Sequence, residues 1–142
     1  MTEPLNPVQQ DELLQLITGR LVLALPPGWN HLQIAYKAIG DHIEASGLLR
    51  MSNGSMWGWD LPDEVPGLFA RLRAGMARPE RGTWLHATYW LDYPDNYAIE
   101  YNRQDEPSFR TPPPPAAHAR ELEIFPRTGE HVPDWLRAAA TS

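Results

Sequence analysis

The stretch from Trp29 to Trp59 constrains this chain more than any other. Leu32, Ile34, Tyr36 and Ala38 alternate with Gln33, Ala35, Lys37 and Ile39, the period of two that strand side chains follow. The run turns at Gly40-Asp41. It resumes with Ile43, Ala45, Gly47, Leu49 and Met51 alternating with His42, Glu44, Ser46, Leu48 and Arg50. Asn53-Gly54 then supplies the strongest short hairpin signal in the chain. Ser55 to Trp59 returns as a third strand. Successive hairpins predict an antiparallel sheet.

Two further strands are expected from Thr83 to Leu91 and from Tyr97 to Asn102, joined by a tight turn at Tyr93-Pro94-Asp95-Asn96. In the first, Trp84, His86, Thr88 and Trp90 share one face and Leu85, Ala87, Tyr89 and Leu91 the other. Both faces are largely apolar, so this strand is either covered on both sides or offers its outer face to a partner.

Helical spacing frames these strands. Asn6 is placed as an N-cap with Pro7 at the first helical position. Val8, Leu13, Leu14, Leu16, Ile17, Leu21 and Leu25 follow at helical spacing until Pro26-Pro27-Gly28. Gly19 costs about 1 kcal/mol relative to alanine there and marks a place for a break or bend. Leu61-Pro62-Asp63-Glu64 opens a second helix, its acidic pair favoured by the dipole of the first turn. Val65, Leu68, Phe69, Leu72 and Met76 form its buried stripe. Pro112 to Pro115 reads as an extended spacer. A third helix from Pro115 or Ala116 to Ile124 is anchored by Leu122 and Phe125, and a short last one near Pro133 carries Trp135 and Leu136. The order predicts an α+β fold as a single domain over residues 1–142. A mainly antiparallel sheet of about five strands would carry an N-terminal helix, a middle helix and short C-terminal helices.

Several function classes fall away. Cysteine is absent, which excludes disulfides, thiolate metal sites and thiol nucleophiles. The longest apolar run, Leu21 to Leu25, is far short of the ~20 residues that span a bilayer. Met1-Thr2-Glu3-Pro4 has neither the basic nor the apolar region of a secretory signal. A cytoplasmic protein without a membrane partner is therefore expected. Twelve Lys+Arg against 18 Asp+Glu give a net charge of −6. Arg71, Arg73, Arg78 and Arg81 form only an interrupted cluster, so nucleic acid is not an expected partner. An acidic surface favours encounter with a basic partner, although the same charge also serves solubility alone.

Catalytic patterns are poor. His31, His42, His86, His118 and His131 never fall at ligand spacing, so no metal site is expected. Gly54-Ser55-Met56-Trp57-Gly58 places methionine where a nucleophile elbow needs serine. No glycine-rich phosphate loop occurs, and Asp63-Glu64 reads as a helix start rather than an acid/base pair. The expectation is a non-enzyme without a cofactor.

Six tryptophans are the remaining signal, because tryptophan anchors binding surfaces and is rarely fully buried. Trp57 and Trp59 share a face just before Asp60, Asp63 and Glu64; a second acidic stretch holds Asp92, Asp95, Glu100, Asp105 and Glu106, offset by Arg103. The candidate protein-binding residues are Trp57, Trp59, Asp60, Asp92, Asp95, Asp105 and Glu106, a set suited to an Arg- and Lys-rich partner. The competing account makes the tryptophans sheet cover and the carboxylates a solvated rim.

Certain strings occur together: Trp59-Asp60-Leu61-Pro62, Leu72-Arg73-Ala74-Gly75-Met76, Gly82-Thr83-Trp84, Glu100-Tyr101-Asn102 with Asp105-Glu106-Pro107, and Glu121 to Arg127 followed by Val132-Pro133-Asp134-Trp135. In this order they resemble the YezG-like family of bacterial immunity proteins, particularly its actinobacterial branch, from Leu13 to Leu136. The resemblance implies a small cytoplasmic α+β protein that binds and neutralises the C-terminal domain of a cognate polymorphic toxin, often a nuclease, encoded nearby. It supplies no catalytic residues. It implies folding roles for the tail: Pro126 and Pro133 fixing turns, Trp135 closing the core, and Arg127 pairing with Asp105 or Glu106. The alternative function is a small-molecule-binding or hydrolytic domain whose pocket is lined by Trp84, His86, Thr88 and Trp90.

Overall fold

The computed structural model describes residues 4–141. The elements are α1 (Pro7–Ala24), β1 (Trp29–Ile39), β2 (His42–Met51), β3 (Met56–Trp59), α2 (Glu64–Gly75), β4 (His86–Asp92), β5 (Asn96–Asn102), α3 (Pro115–Ile124), a 3-10 turn (Gly129–His131) and α4 (Asp134–Ala140). The fold is α+β, with one antiparallel sheet in the order β3-β2-β1-β4-β5.

Local chemistry starts α1 as the sequence requires. The Asn6 side chain accepts from the Gln9 N–H at 2.8 Å, and the Gln9 side chain accepts from the Asn6 N–H at 3.0 Å. Two N–H groups that lack helical partners are thereby satisfied. Gly19 neither breaks nor ends the helix, which runs unbroken to Ala24. Leu13, Leu14, Ile17 and Leu21 are buried, whereas Val8 and Leu16, on the same spacing, are exposed.

The core lies between one sheet face and the α1–α2 pair. Leu32, Ile34, Tyr36 and Ala38 of β1 meet Leu49, Ala87, Tyr89 and Leu91 from neighbouring strands, with Ile17 and Leu21 of α1 and Phe69 and Leu72 of α2 above. Aromatic rings knit this layer: Tyr36 stacks on Phe69 with centroids 5.4 Å apart and meets Trp84 edge-on at 5.7 Å. Burial, partly offset by the Arg73 charge, pushes the Tyr36 hydroxyl up to about 12.

β4 begins later than its sequence pattern predicts. Leu85 sits in a bend, its carbonyl accepting from the Ala38 N–H and its N–H donating to Asn102 O. The bend inverts the alternation. Trp84 therefore joins the main core, while Leu85 packs with Ile39 and Ala117 in a second small cluster.

The C-terminal third is held by two buried arginines. Arg73 donates to Trp84 O at 2.9 Å and Ala38 O at 3.3 Å and pairs with the Glu121 carboxylate. The Phe125 ring lies 4.9 Å from its guanidinium. Arg127 does not pair with Asp105 or Glu106. It donates to the carbonyls of Thr83 (2.8 Å), Arg103 (3.0 Å) and His131 (3.0 Å), since a planar fork suits several fixed acceptors. The anchors of α3 also differ from expectation: Ala117, His118 and Glu121 are buried, whereas Leu122 and Phe125 are half-buried. Trp135 is half-buried against the second cluster and donates to Gln104 O at 2.7 Å; Leu136 is the buried residue of α4.

Candidate functional site

The register fixes what the second sheet face presents. One row across the strands reads Met56, Arg50, His31, Asp92, Asn96; the next reads Gly58, Leu48, Gln33, Trp90, Ala98; the third reads Ser46, Ala35, Thr88, Glu100. A fourth row holds Glu44, Lys37, His86 and Asn102.

Only the far end of this face is covered. Lys37 Nζ donates to Ser108 O at 2.5 Å, and the Glu44 carboxylate accepts from the N–H groups of Arg110 (2.9 Å) and Thr111 (3.4 Å). His42 meets the Phe109 ring at 5.1 Å and donates to Thr111 O. Burial raises the Glu44 carboxyl, but those two N–H groups, with Lys37 and Arg110, outweigh it and leave a net downward shift. Burial and the Lys37 charge push His86 down, which favours neutral imidazole.

The other three rows are open. Leu48 is 43% and Met56 56% exposed. Gln33, Ser46, Ala98 and Glu100 are exposed, and Ala35, Thr88 and Trp90 are half-buried. Leu48 of β2 and Trp90 of β4 flank Gln33 of the central strand, with Ala35 in the next row and Ala98 on the edge strand β5, so apolar and polar groups mix as they do across a protein interface. The Arg50 guanidinium is held by Asn30 Oδ1 at 2.8 Å, and His31 Nδ1 lies 2.7 Å from Asp92 Oδ1. Asp92, Asp95, Glu100, Asp105 and Glu106 line the β4–β5 side from end to end and are all exposed.

The seven candidate binding residues do not form one face. Trp57 and Trp59 pair with Leu49 and Gly47, which turns them to the helix-covered side of the edge strand β3, with Asp60 just beyond. β5 is the opposite edge. Asp92 and Asp95 lie at the tip of the β4–β5 hairpin, and Asp105 and Glu106 lie past the other end of β5. Four carboxylates thus share one side of the sheet, and the tryptophans and Asp60 stand on the other. The four residues of the alternative pocket also separate: Trp84 is in the core, His86 is in the covered row of the second face, and Thr88 and Trp90 are in its open rows. Arg73 is buried with Glu121, so the arginine run is not a surface patch. Leu48 and Gln33 escaped sequence reasoning; the doubly apolar strand around Trp90 was the signal for this face.

Among the described residues, no group of three or more His, Cys, Asp or Glu sits together as a metal ion would need. No helix among them is long and apolar enough to cross a membrane. No protein-family model matches the chain, and no curated protein matches it.

Proposed function

We propose that this chain is an immunity protein that neutralises a cognate toxin domain in the cytoplasm of the producing cell by direct association. The reading rests on one observation: a five-stranded sheet with one face packed against helices and the other left open, carrying exposed Leu48 and half-buried Trp90 on either side of Gln33. Burying Trp90 and Leu48 against a partner supplies the anchor, because a few central apolar and aromatic residues carry most interface energy. The carboxylates along β4 and β5 favour a basic partner and speed its approach. A basic surface is what a nuclease uses to hold phosphates, so the acidic side of this sheet would occupy it in place of substrate. The resemblance of the strings between Trp59 and Trp135 to an immunity family supports the same reading.

The test is co-expression with the C-terminal toxin domain encoded beside this gene. Wild-type chain should restore growth, and Leu48→Ala with Trp90→Ala should abolish the rescue while leaving the circular dichroism spectrum intact. Failure of the wild type to rescue would overturn the reading. Full rescue by the double variant would overturn the face.

A further inference from the structure

α1 carries apolar residues on both sides, and only one side is used within the chain. Leu13, Leu14, Ile17 and Leu21 point into the core. On the outer side, Val8, Glu12, Leu16, Gly19 and Leu23 succeed one another at spacings of four, four, three and four residues, which places them along one stripe. Val8 is 66%, Leu16 41% and Leu23 83% exposed. A Cβ built on Gly19 would meet nothing within 4 Å, so another backbone can approach closely at the middle of the stripe. Three exposed apolar side chains along one face of a well-capped helix give a second copy of that face something to pack against.

The charges say which partner. Along the stripe and its flank, Glu12 lies toward the N-terminus and Arg20 toward the C-terminus. Two copies of α1 laid antiparallel and centred on Leu16 bring each Glu12 opposite the other copy's Arg20 and each Leu16 against its mate. Leu23 then arrives beside Gln9 and Glu12, at one end of a groove of about 260 Å³ that Leu16 and Arg71 of α2 also line. Glu12 would answer both Arg71 of its own copy and the incoming Arg20. On the other flank, Val8 arrives at a groove of about 550 Å³ lined by Gly19, Val22, Leu23 and Tyr97, with Asp95 at its rim. The stripe is complementary to itself in this orientation. In the parallel orientation Glu12 would face Glu12 and Arg20 would face Arg20, with like charges opposed.

We infer that the outer stripe of α1 is a homodimer interface, two copies packing antiparallel through Val8, Leu16, Gly19 and Leu23. Contact runs the length of an 18-residue helix, about 27 Å. This surface lies on the helix side of the sheet, opposite Leu48 and Trp90, so variants at those two residues leave it untouched; Asp95 borders both surfaces.

Sedimentation equilibrium of the full chain tests it. The wild type should fit a monomer–dimer equilibrium, and Leu16→Glu with Leu23→Glu should give monomer only. Both side chains are exposed, so the core is untouched, as an unchanged thermal transition of the monomer would verify. Glu12→Arg should weaken the dimer about tenfold, and adding Arg20→Glu should recover it. A wild-type chain that stays monomeric up to millimolar concentration would overturn the inference. So would a dimer indifferent to the leucine changes, or a charge reversal without recovery.

Discussion

Arg73 of α2 and Glu121 of α3 form an ion pair in which both side chains are buried. The same Glu121 oxygen accepts from the Gly40 N–H at 2.7 Å, and the same guanidinium reaches the carbonyls of Trp84 and Ala38. One contact therefore ties together the middle helix, the β1–β2 turn, the start of the β4 segment and the C-terminal helices.

Glu121→Ala should destabilise the fold by about 3–5 kcal/mol, because it strands a buried guanidinium. Arg73→Met with Glu121→Leu should lose much less, since it removes both charges and keeps the volume. Urea unfolding of the three proteins measures the difference. Equal losses for the single and double variants would refute the assignment.

Gly82 has φ of +67°, and a Cβ there would meet Arg127 Nε at 2.5 Å and Cγ at 2.9 Å. Gly82→Ala should cost about 1–3 kcal/mol through backbone strain and displacement of the arginine fork. Gly129→Ala is the control, since nothing lies within 4 Å of its added Cβ. A thermal melt should separate the two.

Glu44 predicts a pH response of one segment. Its folded pKa lies below the ordinary 4.5, so the unfolded chain takes up a proton that the folded chain resists. The resulting stability is present above 4.5 and is lost as pH falls through the lower folded value. Amide protection factors at Arg110 and Thr111 should therefore fall in that acid range while those of Leu32 and Tyr89 hold. Glu44→Gln should remove the response. A pH-independent protection factor at Thr111 would contradict it.

The hairpins were legible because their information is local: period two in β1 and β2, Gly40-Asp41 and Asn53-Gly54 at the turns. The α1 start was legible for the same reason, with Asn6 and Pro7 adjacent, while the Gln9 half of the capping box emerged only in the structure. What failed needed tertiary information. Helical spacing could not tell the inner Leu13 from the outer Leu16 on a helix apolar on both sides. Nothing near Glu121 announces an arginine on another helix, and a bend at Leu85 turned Trp84 into the core. The candidate binding residues scattered because strand order is not written in strand sequence: β3 and β5 each end a hairpin, and only the β1–β4 pairing sends them to opposite edges.

The open sheet face is tested most directly by calorimetric titration of the proposed cognate toxin domain into four proteins: wild type, Trp90→Ala, Asp92→Lys with Glu100→Lys, and Trp57→Ala. Trp90→Ala should weaken binding by about 2 kcal/mol or more. The charge reversal should weaken it and flatten its dependence on salt. Trp57→Ala, on the far edge and the other side of the sheet, should bind as the wild type does. Affinity lost with Trp57 and unchanged with Trp90 would contradict the account.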